Sequence, residues 1–271
     1  MHIDTEGVLA PTATKIPAGA RGRVLVCGSH GGTYAGYLAA RAGVRAVILN
    51  DAGVGLDAAG IGALEHCRVL GVAAAVVAHT SARIGDAEDM LVNGIISHCN
   101  ALAERLRVTP GMRCTEAVRR LAQAPTGRSR DGDYGEARIE AGANSYGVGI
   151  VCVDSVSLVR EEDAGRIVLS GSHGGVVAGQ RHLPIRVAAA AAFYNDAGIG
   201  KDEAGVSRLP VLDARGVAAA TVSAASARIG DGRSTYATGI VSRANAHAAK
   251  LGILPGMHAR EAVERVPRAA D

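Results

Sequence analysis

The chain spells one set of motifs twice, in one order, and any fold for it must house both copies. Gly28-Ser-His-Gly-Gly32 returns as Gly171-Ser-His-Gly-Gly175, and Asn50-Asp-Ala-Gly53 returns as Asn195-Asp-Ala-Gly198. Ser81-Ala-Arg-Ile-Gly-Asp86 returns as Ser226-Ala-Arg-Ile-Gly-Asp231, and Pro110-Gly-Met112 as Pro255-Gly-Met257. Gly71-Val-Ala-Ala74 and Asn100-Ala101 recur as Gly216-Val-Ala-Ala219 and Asn245-Ala246. The near-constant spacing points to an internal duplication with a repeat of about 120 residues. It divides the chain into a first unit over 1–124, a Gly- and Arg-rich connector over 125–149 and a second unit over 150–271.

Within each unit, short apolar runs alternate with longer segments of helical composition. Strands are expected over 23–27, 46–49 and 72–78, and again over 166–170, 187–194 and 217–223. Helices are expected over 33–41, 58–70, 90–105 and 115–122, and again over 176–182, 204–214, 236–249 and 259–266. Leu91, Ile95, Leu102 and Leu106 supply the apolar spacing of the long helix over 90–105. The connector carries Gly127, Arg128, Arg130, Asp131, Gly132, Asp133, Gly135 and Gly142 and reads as a linker or a functional loop, with an extra strand over 149–153. Continuous apolar strands separated by helices call for parallel sheets covered on both faces. The expected fold is therefore α/β: two tandem duplicated units, each a mainly parallel sheet with flanking helices in Rossmann-like layering, related by a pseudo-twofold.

Composition limits how such units pack and what they bind. With 48% hydrophobic and 20% charged residues in 271, the chain is not of disordered type. It has 36 Gly, no Trp, one Phe and six Tyr, so the core must be built from Ala, Val, Ile and Leu. A net charge of +3 and the scarcity of stacking aromatics argue against a nucleic-acid partner. No apolar run approaches the roughly 18 residues of a membrane span. The start, MHIDTEGVLA, lacks a basic-then-apolar signal pattern, and the five cysteines form no CxxC pair. A cytoplasmic protein with buried, reduced cysteines is expected. Cys27 adjoins the first Gly-Ser-His motif, but its counterpart is Ser170, which argues against a nucleophile shared by both halves.

The repeated polar motifs all fall after expected strands, where parallel α/β sheets bind ligands. Glycines in Gly-Ser-His-Gly-Gly permit close backbone approach, and a following helix offers free N–H groups to an anion. The motif has neither the spacing of a dinucleotide fingerprint nor the Lys of a phosphate loop. Imidazole is poor filler for a tight turn, so His30 and His173 are candidate acid/base groups. The candidate catalytic set is Ser29, His30, Asp51 and Asp86, with Ser172, His173, Asp196 and Asp231. The candidate substrate-binding set is Gly31, Gly32, Asn50, Ser81 and Arg83, with Gly174, Gly175, Asn195, Ser226 and Arg228. Arg83 and Arg228 suit bidentate binding of a carboxylate. The bland alternatives are helix caps for Ser29 and Ser172, turn capping for Asp51 and Asp196, and an Arg83–Asp86 pair that only holds its loop. Asp57 and Asp202 read as N-caps, and Asn100 and Asn245 as structural contacts.

The halves also differ: His79 is replaced by Ala224, His98 by Arg243, Glu65-His66 by Pro210-Val211 and Thr33-Tyr34 by Val176-Val177. One shared or specialised site is thus expected rather than two identical ones. The inventory predicts an enzyme on a small polar, carboxylate-bearing metabolite, a hydrolase using acid/base chemistry at strand-end loops. The alternative is a non-catalytic small-anion binding or sensor protein. No cofactor is expected. A divalent metal on His30, Asp51 and Asp86 is the competing option, although HxH and HExxH spacings are absent. The expected partners are a small-molecule substrate and further copies of the chain in a homo-oligomer, with no membrane.

Overall fold

A computed structural model describes residues 7–126, 134–179 and 185–268. The connector residues Gly127, Arg128, Arg130, Asp131, Gly132 and Asp133 lie outside these, as does the expected helix at 180–182.

Two mixed sheets, mostly parallel, organise the chain. The first runs in simple order through β1 (Gly7–Ala10), β2 (Val24–His30), β3 (Ala46–Asn50), β4 (Ala73–Val77) and β5 (Ile96–Cys99), with only β5 antiparallel. The second runs through β6 (Arg138–Ala143), β7 (Gly149–Val153), β8 (Ile167–His173), β9 (Ala191–Asn195), β10 (Ala218–Val222) and β11 (Val241–Ala244), with antiparallel strands at both edges.

Strand alternation sends side chains to two separate cores. Val24, Val26, Ile48 and Ala75 meet Met90, Ala117 and Leu121 on one face, from α3 (Ala87–Asn93) and α5 (Cys114–Leu121). Leu25, Cys27, Val47 and Leu49 meet Ala35, Ala39 and Ala63 on the other, from α1 (Thr33–Arg41) and α2 (Ala63–Val69). The second sheet has matching cores on its two faces, with Phe193 in one and Tyr194 in the other. Small residues let the helices sit close: a Cβ on Gly36 of α1 would lie 2.9 Å from the Ala63 Cβ of α2. Such packing needs few aromatics.

The expected helices over 90–105 and 236–249 are each broken by a strand. Helix α3 closes at Gly94, whose N–H reaches Met90 O and whose backbone then turns extended. A Cβ there would come within 2.8 Å of Val77 Cγ1, so only glycine brings the chain this close to the sheet. The next residues form β5, and Asn100 then caps α4 (Ala101–Glu104) by accepting from Ala103 N. Gly239 and Asn245 repeat the device between α7 (Gly232–Thr238), β11 and α8 (Ala246–Lys250). Apolar spacing read these segments as one helix because β-branched Ile95 and Ile96 fall where helical periodicity also wants apolar residues.

Another departure bears on the site. α1 has no counterpart in residues 176–179, which form loop and turn rather than the helix expected over 176–182. β1 and β6 were not anticipated. The stretches 58–70 and 204–214 each divide into a 3-10 turn followed by a helix, the second being α6 (Arg208–Asp213). Among the described residues, no helix is long and apolar enough to cross a membrane.

The loops beyond the strand ends of the two sheets pack against each other, and the contacts are reciprocal. Leu56 N donates to Ala224 O, and its counterpart Lys201 N donates to His79 O, both at 2.8 Å. Arg83 pairs with Asp202 at 3.1 Å, and Arg228 pairs with Asp57 at 3.2 Å. Ala52, Ile84, Ala197, Ala204 and Ile229 form a small core between the units. Such exchange of equivalent partners is what an approximate twofold requires. The loops bend sharply to achieve it: Ala52, Val54, Ala197 and Ile199 all have φ between 48° and 63°. Each such non-glycine residue costs on the order of 1–3 kcal/mol, so the surrounding contacts must hold it in place.

Gly53 and Gly198 sit at the centre of this junction, where a Cβ on Gly53 would lie 2.9 Å from the Gly198 Cα. Gly53→Ala is expected to destabilise the protein by at least about 1–3 kcal/mol in urea denaturation. Gly71→Ala, at a comparable φ but with open space around it, should cost only about 1 kcal/mol. Equal losses would mean that backbone strain, not the junction, sets the effect.

Candidate functional site

Each sheet's parallel strands follow chain order, so neither has a reversal point at which α/β sheets open a crevice. The crevice lies instead between the units, where the ends of β2 and β8 approach. It is a cavity of about 80 Å³ lined by Ser29, His30 and Tyr34 from the first unit and by Glu136, Asp154, Ser172, His173 and Gly230 from beyond it. A second cavity, of about 180 Å³, shares His173, Ser172, Ser155, Thr12 and Thr14 with the first and extends toward Lys15, Arg186 and Arg208.

Both histidines are seated in one way. Gly32 N donates to His30 Nδ1 at 3.1 Å, and Gly175 N donates to His173 Nδ1 at 3.2 Å. A Cβ on Gly32 would lie 2.6 Å from the His30 ring, which gives a physical reason for glycine two residues after the histidine. Because Nδ1 accepts, the ring proton belongs on Nε2. Among the described residues, no partner is recorded for Nε2 of either ring. Burial pushes the His30 imidazole down to about 4. His173 falls well below its ordinary value, through burial first and then the nearby Arg208 and His30. At neutral pH the site therefore presents two uncharged N–H donors.

The acid side is built by residues that the repeated motifs do not contain. Glu136 precedes β6, and burial together with the charge of Asp154 pushes its carboxyl up to about 7. Asp154, just after β7, accepts from Ala137 N at 2.7 Å and Gly232 N at 3.1 Å. Burial is also the main cause that raises the Asp154 carboxyl. Tyr34 closes the wall within a ring cluster: its ring centroid is 5.9 Å from Tyr37 and 6.1 Å from Tyr134.

The remaining candidates hold loops. Ser29 Oγ accepts from Ala13 N, and Ser172 Oγ from Val156 N, both at 2.9 Å. Each thus satisfies the first N–H of a 3-10 turn, Ala13–Lys15 or Val156–Leu158, rather than capping the segment after its own motif, and neither bonds a histidine among the described residues. Asn50 accepts from Ala52 N and donates to Ala82 O, and Asn195 makes the same pair with Ala197 and Ala227. Asp51 accepts from Gly53 N, His79 N and His79 Nδ1, and Asp196 accepts from Gly198 N and Ala224 N. Burial works to raise the Asp51 carboxyl, but the donors from His79, Ser97 and Gly53 more than offset it.

Asp86 and Asp231 are N-caps of α3 and α7. Ser81 and Ser226 each donate to a carbonyl three residues back and accept from Ile95 N or Ile240 N. Arg83 bonds Asp86, Asp89 and Asp202, and it lines a separate cavity of about 320 Å³. Arg228 bonds Asp57 and Asp231. Asp57 and Asp202 sit inside 3-10 turns at positive φ rather than capping them. Gly31 and Gly174 are required by close carbonyls, with Gly60 O and Gly205 O at 2.5 and 2.6 Å from a Cβ. The repeated motifs are thus mostly the framework of the inter-unit junction, and the two histidines are what they aim into the cleft.

Burial pushes the Cys27 thiol up to about 11 and the Cys67 and Cys114 thiols to about 12, values that suit packing rather than nucleophilic attack. Among the described residues, no group of three or more His, Cys, Asp or Glu is placed to hold a metal ion. Compared with known families, curated proteins and solved structures, the chain matches none.

Divergence between the halves was the signal for two missed residues. Asp154 stands where the first unit has Pro11, and Arg208 stands where it has Ala63. Glu136 lies within the connector and has no repeat partner to reveal it.

Glu136 and His30 pull stability in opposite directions. An acid raised in the folded state keeps its proton between pH 4.5 and about 7 while the unfolded chain releases it, so stability falls as pH rises through that window. His30, lowered from 6.5 to about 4, costs stability as pH falls through its own window. Glu136→Gln should therefore be more stable than the parent at pH 8 by about 1–2 kcal/mol after discounting for solvent access. In denaturant titrations the gain should vanish at pH 4.

Proposed function

We propose that the protein is an enzyme that hydrolyses a small, carboxylate-bearing molecule in the cleft between its two units. The observation that carries this reading is the pairing of a carboxyl poised near 7 with two neutral imidazole N–H donors in one cavity. A base of that pKa is half deprotonated at neutral pH and can take a proton from water. The histidines suit a different task. With Nδ1 occupied by a backbone N–H and a pKa near 4, His30 is a weak base but a fixed donor. Neutral imidazole can stabilise a developing oxyanion without proton transfer.

In this scheme Glu136 accepts a proton from water as the water oxygen bonds to the substrate carbonyl. His30 and His173 donate from Nε2 to the resulting oxyanion. When the carbonyl re-forms and the bond to the leaving group breaks, protonated Glu136 returns its proton to that group. Burial, and after it the charge of Asp154, holds Glu136 at its raised pKa. The reading needs no metal, and one chain supplies every group, so it needs no second copy.

Turnover of a panel of small carboxylate esters and amides tests the reading. The acid limb of kcat/KM should lie near pH 7 and disappear in Glu136→Gln, with a loss of about 10²–10⁴-fold. His30→Asn and His173→Asn should each lower kcat by about 10²–10³-fold with the fold intact. An acid limb near pH 4 would make His30 the base instead. Tight ligand binding with no turnover across the panel would favour the anion-sensor alternative.

A further inference from the structure

The larger cavity beside the histidines has a chemistry that the repeated motifs do not explain. Lys15, Arg186 and Arg208 line it, together with the hydroxyls of Thr14, Ser155 and Ser157, and no carboxylate is among its described lining residues. No salt bridge is recorded for Lys15 or Arg186 with any described residue, and both are exposed.

Arg208 is different, being only 5% exposed. Its guanidinium lies 4.7 Å from the Tyr194 ring centroid and donates to Gly175 O at 2.9 Å. The Gly175 bond ties this cation to the glycine that seats His173. Burying a cation is costly, and the first unit has the small, buried Ala63 at the equivalent position. In the second unit, residues 176–179 make no helix, and an arginine reaches into that region.

We propose that this cavity is the recognition subsite for a small oxygen dianion, the charge shared by a dicarboxylate and a phosphate monoester. A buried arginine at the floor fixes orientation, while two cations at the rim and a row of hydroxyls supply the remaining partners. The proposal rests on the hydrolytic reading only in placing the reacting bond: a ligand held here extends past Ser172 and His173 toward Glu136. Arg83 and Arg228, the anion anchors expected from sequence, are committed to ion pairs between the units.

Calorimetric titration of the full chain with malonate, inorganic phosphate and acetate at low salt tests the assignment. Malonate or phosphate should bind, with acetate at least about tenfold weaker. Combined Lys15→Ala and Arg186→Ala, both exposed and so safe for folding, should weaken dianion binding at least about tenfold. Arg119→Ala, an exposed control, should not change it. Arg208→Lys keeps the charge but loses the planar fork, and it should also weaken binding.

No binding of either dianion, acetate as tight as malonate, or dianion binding unaffected by the double substitution would each overturn the subsite. Phosphate binding without malonate, or the reverse, identifies which source supplies the dianion and leaves the subsite standing. Glu136→Gln separates the two readings, because it should abolish turnover yet bind the dianion normally. Dianion binding that depends on Lys15 and Arg186 in a protein with no Glu136-dependent turnover would keep the subsite and remove the reaction.

Discussion

The contact between the loops that follow β3 and β9 is the constraint on which the rest depends. Gly53 meets Gly198 at a distance that admits no side chain on either. Around this point, left-handed turns at Ala52, Val54, Ala197 and Ile199 are held by hydrogen bonds that Gly53 N and Gly198 N donate to Asp51 and Asp196, and by reciprocal bonds between the units. Only with the loops so folded do the ends of β2 and β8 approach. Two imidazoles from separate sheets then line one cleft. The strain in the loops is offset by burying Ile84 and Ile229 in the small core between the units.

Approximate symmetry builds the frame, and departures from it build the chemistry. His30 and His173 occupy equivalent seats, yet their surroundings differ. On one side stand Glu136 and Asp154, where the first unit has Pro11 in place of the aspartate. On the other stands Arg208, where the first unit has Ala63. A site on a perfect twofold would offer the same groups to both ends of a ligand. This one has Glu136 and Asp154 in one cavity and Arg208 in the other, with His173 shared by both.

Much of the fold was legible in the amino-acid pattern. Buried strands such as Ala46–Asn50 read clearly because every residue is apolar up to the final Asn. The segments 90–105 and 236–249 did not, because a glycine pressed against the sheet and a capping asparagine break each into helix, strand and helix through tertiary contacts that periodicity does not register. In the site, the His-Gly-Gly triplet was readable, since an imidazole over glycine backbone is a local arrangement. The roles of Asp86, Arg83 and their repeats were not. The same residue types serve equally well as helix caps and inter-unit ion pairs, and only the distances decide. Glu136 carried no pattern at all, because its character comes from burial beside Asp154.

The proposed sharing of one site by the two units has a direct consequence in solution. It is tested most directly by NMR of the chain labelled in its histidine rings, titrated with malonate at neutral pH. A shared site gives neutral Nε2–H rings for His30 and His173, with both sets of signals moving together along one binding curve at one ligand per chain. Two separate curves, or a ligand that moves neither ring, would contradict it.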